Sequence, residues 1–214
     1  DAAPGDLVRA RVTKARRRFA EADLVEVLRP GPDRVTPPCP YVPRCGGCRL
    51  QHVSYAAQVA AKRDQVAEHL ARIGHLEGIE VRPADPAVEA FGYRNRMEYS
   101  AAPGPAGELT LGFHARGRWD EVVDIDDCLL ATPLGNAVRE TARAAAAEAG
   151  MDPYDQRAQA GALRHVVVRE GVATGQVLVT LVTAEGAEAA IDAVAGRLAG
   201  AHPEVVGVRH AVNA

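Results

Sequence analysis

The hydrophobic pattern changes period along this chain. Residues 6–14 alternate, with Val8, Ala10 and Val12 on one side and Arg9, Arg11 and Thr13 on the other, as in a half-buried strand. Residues 19–28 read as its antiparallel partner, which puts Arg16, Arg17 and Arg18 at the connecting turn. A Pro/Gly-rich connector over 29–38 marks a boundary. Tyr55, Val59, Val66, Leu70 and Ile73 then recur at three- and four-residue steps, predicting a helix over 54–73, capped by Ser54 and ended by Gly74. Strands over 91–101, 108–114 and 119–125 predict an antiparallel meander. Thr132-Pro133 predicts a helix start, an N-cap followed by proline at the first helical position, running to about Ala149 with Gly150 behind it. The remainder reads as a ββαβ unit: strands 162–170 and 175–183, a helix 187–199 with Ile191, Val194, Ala195 and Leu198 on its core face, and a strand 204–212. The predicted class is α+β.

Charge adds a surface to this outline. A net charge of −3 speaks against a simple nucleic-acid binder, but the distribution is uneven: Arg9, Arg11, Lys14, Arg16, Arg17 and Arg18 cluster with no acid among them. Alone, such a run is most simply a solvated hairpin. In the first meander strand, Tyr93, Asn95, Met97 and Tyr99 share one face, leaving Arg94, Arg96 and Glu98 on the other. Two arginines side by side can clamp phosphate; pairing with Glu98, Glu108 or Asp120 is the competing structural role.

The chemistry-bearing stretch is Cys39-x5-Cys45-Gly-Gly-Cys48-x2-Gln51-His52, with Cys128 eighty residues downstream. Four thiolates at this spacing suit either tetrahedral zinc or a cubane iron-sulfur cluster, and spacing alone leaves the two close to even. A Cys45/Cys48 redox pair and a disulfide framework are less favoured, because no thioredoxin-like strand leads into a helix at Cys45. His52 is a candidate substitute ligand, but with four cysteines at hand a structural or nucleic-acid-contact role is favoured. Asp124, Asp126 and Asp127 lack calcium-loop spacing and read as a solvated turn. The thiols, and the absence of an apolar N-terminal run, predict a reducing, cytoplasmic setting with no membrane span.

The cysteine run, Tyr93-Arg-Asn-Arg96, Leu111-Gly-Phe113, the cysteine before Leu129-Leu130, and Leu163-Arg-His165 together resemble the iron-sulfur RNA (uracil-5-)-methyltransferases. The resemblance implies a 4Fe-4S cluster on Cys39, Cys45, Cys48 and Cys128, with Cys128 tying the meander to the cysteine loop. It implies a structured RNA partner, rRNA or tRNA, contacted by Arg94 and Arg96, by Arg49 and Gln51, and by Arg16 and Arg17. It further implies that residues 1–30 are the end of a TRAM-like β-barrel, 31–53 a linker and cluster loop, and 54–214 a mixed α/β RNA-recognition domain. The family's catalytic cysteine and S-adenosylmethionine domain match nothing here. The expected role is therefore the substrate-recognition portion of a 5-methyluridine-forming enzyme, inactive by itself and monomeric. A zinc-bearing RNA-binding module is the alternative, and a small electron-transfer protein a third, disfavoured by the lack of a second redox centre.

Overall fold

In the computed structural model, which describes residues 1–213, the two periods become eight strands and three helices among the described residues. The chain divides into two units, residues 1–43 with 48–88, and residues 44–47 with 89–214.

The first unit opens with the hairpin β1 (Leu7–Ala15) and β2 (Ala20–Arg29), whose turn carries Arg16, Arg17 and Arg18. Its strands are not half-buried as the alternation predicts. Val12, Val25 and Leu28 are exposed, because a two-stranded ribbon offers no second layer for its apolar face. Asp6 fastens the ribbon to the connector by accepting from the N–H groups of Gly31 and Ala3, both at 2.7 Å, and from Arg34. Those contacts hold its carboxyl below the usual range, the Gly31 N–H contributing most. A side chain at Gly31 would place a Cβ 2.6 Å from the Pro4 carbonyl, so the close crossing requires glycine.

Helix α1 (Tyr55–Arg72) starts where the cap was read: Ser54 Oγ accepts from Ala57 N–H and donates to Asp33. The predicted stripe is only partly used, and none of its residues is fully buried. Val66 and Ile73 are exposed.

The second unit is built on one six-stranded sheet in the order β5-β4-β3-β6-β7-β8. It comprises β3 (Arg96–Pro103), β4 (Leu109–His114), β5 (Val122–Asp124), β6 (Leu163–Gly171), β7 (Gln176–Thr183) and β8 (Val205–Val212). Neighbours are antiparallel except β7 and β8, which run parallel through the crossover helix α3 (Glu188–Ala201). Helix α2 (Pro133–Glu148) and α3 pack together against one face. Met97, Tyr99, Leu111, Val166, Val168, Val179 and Leu181 meet Val138, Ala142, Val194 and Leu198 in this core.

The first meander strand begins at Arg96 rather than residue 91. Gly92 adopts φ 66°, and the N–H groups of Gly92 and Arg94 donate to the carbonyls of Leu129 and Leu130, so this segment follows the loop before α2. Tyr93 and Asn95 accordingly stay exposed while Met97 and Tyr99 are buried.

Candidate cysteine centre and nucleic-acid interface

Cys39, Cys45 and Cys128 are each held through the backbone. In the first unit, Cys39 N–H donates to Gln51 Oε1 at 3.3 Å, so the side chain expected to touch RNA braces the cysteine loop. Gln58, in the first turns of α1, donates to the carbonyls of Leu50 and Val53 and fixes the loop's exit. His52 is buried, with Nε2 3.2 Å from the Ala2 carbonyl, a structural position. Cys48 is half-buried and Arg49 is exposed.

In the second unit, residues 44–47 lie along the β4–β5 connection. Gly46 N–H donates to His114 O at 3.0 Å, Arg116 N–H donates to Arg44 O at 2.8 Å, and Cys45 forms a bridge with Ala115. A Cβ on Gly46 would lie 2.9 Å from His114 O, which explains the first glycine of the Cys-Gly-Gly-Cys run. Cys45 is buried, and the Gly47 N–H lies 3.4 Å from its sulfur, a donor suited to stabilising a thiolate. Asn136 of α2 clamps Cys128 at both ends, accepting from its N–H at 3.0 Å and donating to its carbonyl at 3.1 Å.

All four cysteines are thiols rather than disulfides. By donor type alone, soft thiolates suit iron-sulfur or zinc chemistry. Among the described residues, no three His, Cys, Asp or Glu side chains converge closely enough to hold a single metal ion.

Two features near Cys128 escaped the sequence reading. Arg139 of α2 has a side chain only 1% exposed. It donates to the carbonyls of Leu111 (3.1 Å) and Asp126, and its guanidinium lies 5.9 Å from the centre of the Tyr99 ring. The Tyr99 hydroxyl is buried with no hydrogen-bond partner among the described residues; burial, then the charge of Cys128, raises its pKa well above the usual tyrosine value. Nothing in a helical pattern announces a buried arginine, although its i+3 spacing from Asn136 places both on one face.

The expected arginine clamp is rearranged. Arg96 lies on the open face of the sheet and pairs with Glu98 at 2.8 Å, the competing structural role. Arg94 sits outside β3 in a bridge to Ala131 and makes no ion pair among the described residues. The partner facing Arg96 is Arg169 on β6, directly across the ladder. Asp120 pairs with Arg118 and Arg157 instead, which together hold its carboxyl far below the usual range. Arg16 and Arg17 are exposed at the hairpin turn. Also on the open face, Ser100 Oγ lies 3.3 Å from both His114 Nε2 and His165 Nδ1.

The six-stranded sheet thus has one face under helices and carries arginine, serine and histidine on the other. No family model matches the chain. An uncharacterised RNA methyltransferase of Chlorobaculum tepidum is 38% identical over 216 residues, covering 94% of this chain and 45% of that protein. One of Nitratidesulfovibrio vulgaris is 39% identical over 212 residues, covering 98% of this chain and 45% of that protein. The chain is thus a homologue of RNA methyltransferases over nearly its whole length, and spans under half of theirs. Among solved structures, it is similar to Pyrococcus abyssi tRNA (uracil-54, C5)-methyltransferase in complex with S-adenosyl-L-homocysteine. That match has a TM-score of 0.61 and 31% identity, over 86% of this chain and 41% of that one.

Proposed function

We propose that this chain is the substrate-recognition portion of an S-adenosylmethionine-dependent RNA uracil-5-methyltransferase that forms 5-methyluridine in rRNA or tRNA. The observation that carries the reading is the match to RNA methyltransferases along nearly the entire chain, joined to a likeness to a tRNA uracil-C5 enzyme. Cys39, Cys45, Cys48 and Cys128 are the proposed ligands of a 4Fe-4S cluster, which supplies a structural crosslink and no step in methyl transfer. The reading is supported by four free thiols, three of them at positions held through the backbone, and by the Gly47 N–H beside the Cys45 sulfur. With every cysteine committed in this way, none remains as the nucleophile that attacks uracil, so these residues bind RNA without modifying it. A reducing, cytoplasmic setting follows from the same commitment.

The test uses the purified 214-residue chain, tritiated S-adenosylmethionine, and unmodified tRNA and rRNA transcripts. RNA should be retained, with affinity falling as salt rises, and no label should be transferred. Methyl transfer by this chain would overturn the recognition role. Stoichiometric zinc in place of iron and sulfide would leave RNA binding intact and favour the zinc-bearing module.

A further inference from the structure

We infer that Arg96 and Arg169 form a phosphodiester-binding subsite on the open face of the sheet, occupied by the backbone of the RNA. The inference rests on the RNA-recognition reading above and adds a residue, Arg169, that no motif marks. Met97 pairs with Val168 and Tyr99 with Val166 on the helix-covered face. Side chains alternate along strands, so Arg96 and Arg169, which are Cα partners in the same ladder, project together from the opposite face. Like charges directly opposite one another weaken a sheet. Glu98 neutralises Arg96, but Arg169 forms no ion pair among the described residues, so one cation of the pair stands uncompensated. An anion over both removes that penalty.

The surroundings suit such a ligand. The two arginines line an open cavity of about 500 Å³ with Asn95, Thr174 and Gln176 on its polar rim. Glu170 also borders it, but its carboxylate accepts from the Thr132 hydroxyl at 2.7 and 2.8 Å, on the helix side. Guanidinium forks match the oxygens of a phosphate, and no aromatic ring lines the cavity to stack a base, so the subsite positions the backbone rather than reading sequence.

The test compares the parent with Arg169→Gln in two measurements. The first is binding to a pool of in vitro transcribed, unmodified tRNA and rRNA across a salt series. The variant should bind roughly tenfold more weakly, with a salt slope smaller by about one. The second is thermal unfolding in chloride against inorganic phosphate. Phosphate should raise the parent's melting temperature more than the variant's, and in chloride the variant should melt no lower than the parent, since a like-charge pair has been relieved. Unchanged RNA affinity and salt slope in the variant, with an equal phosphate effect, would overturn the subsite while leaving RNA recognition standing. A parent that binds no RNA, with a phosphate effect that Arg169→Gln abolishes, would overturn RNA as the occupant while leaving the anion site.

Discussion

Replacing Arg139 with leucine tests how the region around Cys128 is held. The guanidinium is buried against Tyr99 and bonds two main-chain carbonyls, Leu111 on β4 and Asp126 two residues before Cys128. Orphaning each carbonyl costs about 1–3 kcal/mol, and the lost contact with the ring about 0.5–2 kcal/mol. Against this, the variant no longer buries a charge, whose desolvation costs several kcal/mol before compensation. The expected net loss is about 3 kcal/mol, a fall in melting temperature of roughly 6–12 °C for a chain of this size. Arg139→Lys should recover only part of it, because a point charge cannot serve both carbonyls in the planar geometry of the fork. A thiol-reactive probe should modify Cys128 faster in the leucine variant, since the loop carrying it loses its anchor at Asp126. A melting temperature within about 2 °C of the parent, with Cys128 reactivity unchanged, would refute the view that Arg139 organises this loop.

Other outcomes follow from the same geometry. Anaerobically purified protein should contain about four iron and four sulfide per chain, and Cys128→Ser should lose both, as metal and sulfide analysis would show. Gly46→Ala should destabilise by about 1–3 kcal/mol in urea unfolding, because its Cβ would press on the His114 carbonyl that the Gly46 N–H must reach; an unchanged midpoint would show that the loop shifts freely. Burial first, and then the neighbouring His114 and Arg164, lower the His165 pKa against an opposing pull from Glu98. The unfolded chain therefore binds that proton more readily, so this contribution to stability is complete above about pH 6.5 and is lost as pH falls from there towards the lower folded value. His165→Gln should flatten the pH dependence of melting in that window, and an unaltered profile would assign it to other groups.

The local elements were legible because their signals are local. Ser54, Thr132-Pro133 and Gly74 mark helix ends through hydrogen bonds within a few residues, and the structure forms them there. Alternation likewise matched burial at Met97, Glu98 and Tyr99, and ended at Ser100, which is buried beside Tyr99 and Ala101. Upstream it failed, since Tyr93 and Asn95 alternate correctly while the N–H groups of Gly92 and Arg94 beside them are claimed by the carbonyls of a loop thirty-odd residues away. The exposed hairpin exposes the same limit: alternation reports which faces a strand has, not whether anything covers them. Arg139 and Arg169 were invisible for a related reason, as one is buried by elements distant in sequence and the other becomes notable only through the residue across from it. The joining of the meander to the ββαβ unit through β3 and β6 also rests on a long-range pairing that no motif encodes.

That pairing has a kinetic consequence. The β3–β4 and β6–β7 ladders join sequence neighbours, whereas Ser100 meets His165 across 65 residues. Closing the longer span must precede any reward from its contacts, so the two hairpins can assemble quickly while their union is slow. Until it forms, the edges of β3 and β6 stand unpaired, open to pairing with a second chain. The central seam of the finished sheet is therefore the place where nascent molecules are most exposed to association, and substitutions that speed its closure should raise the yield of soluble protein more than equal gains in stability elsewhere.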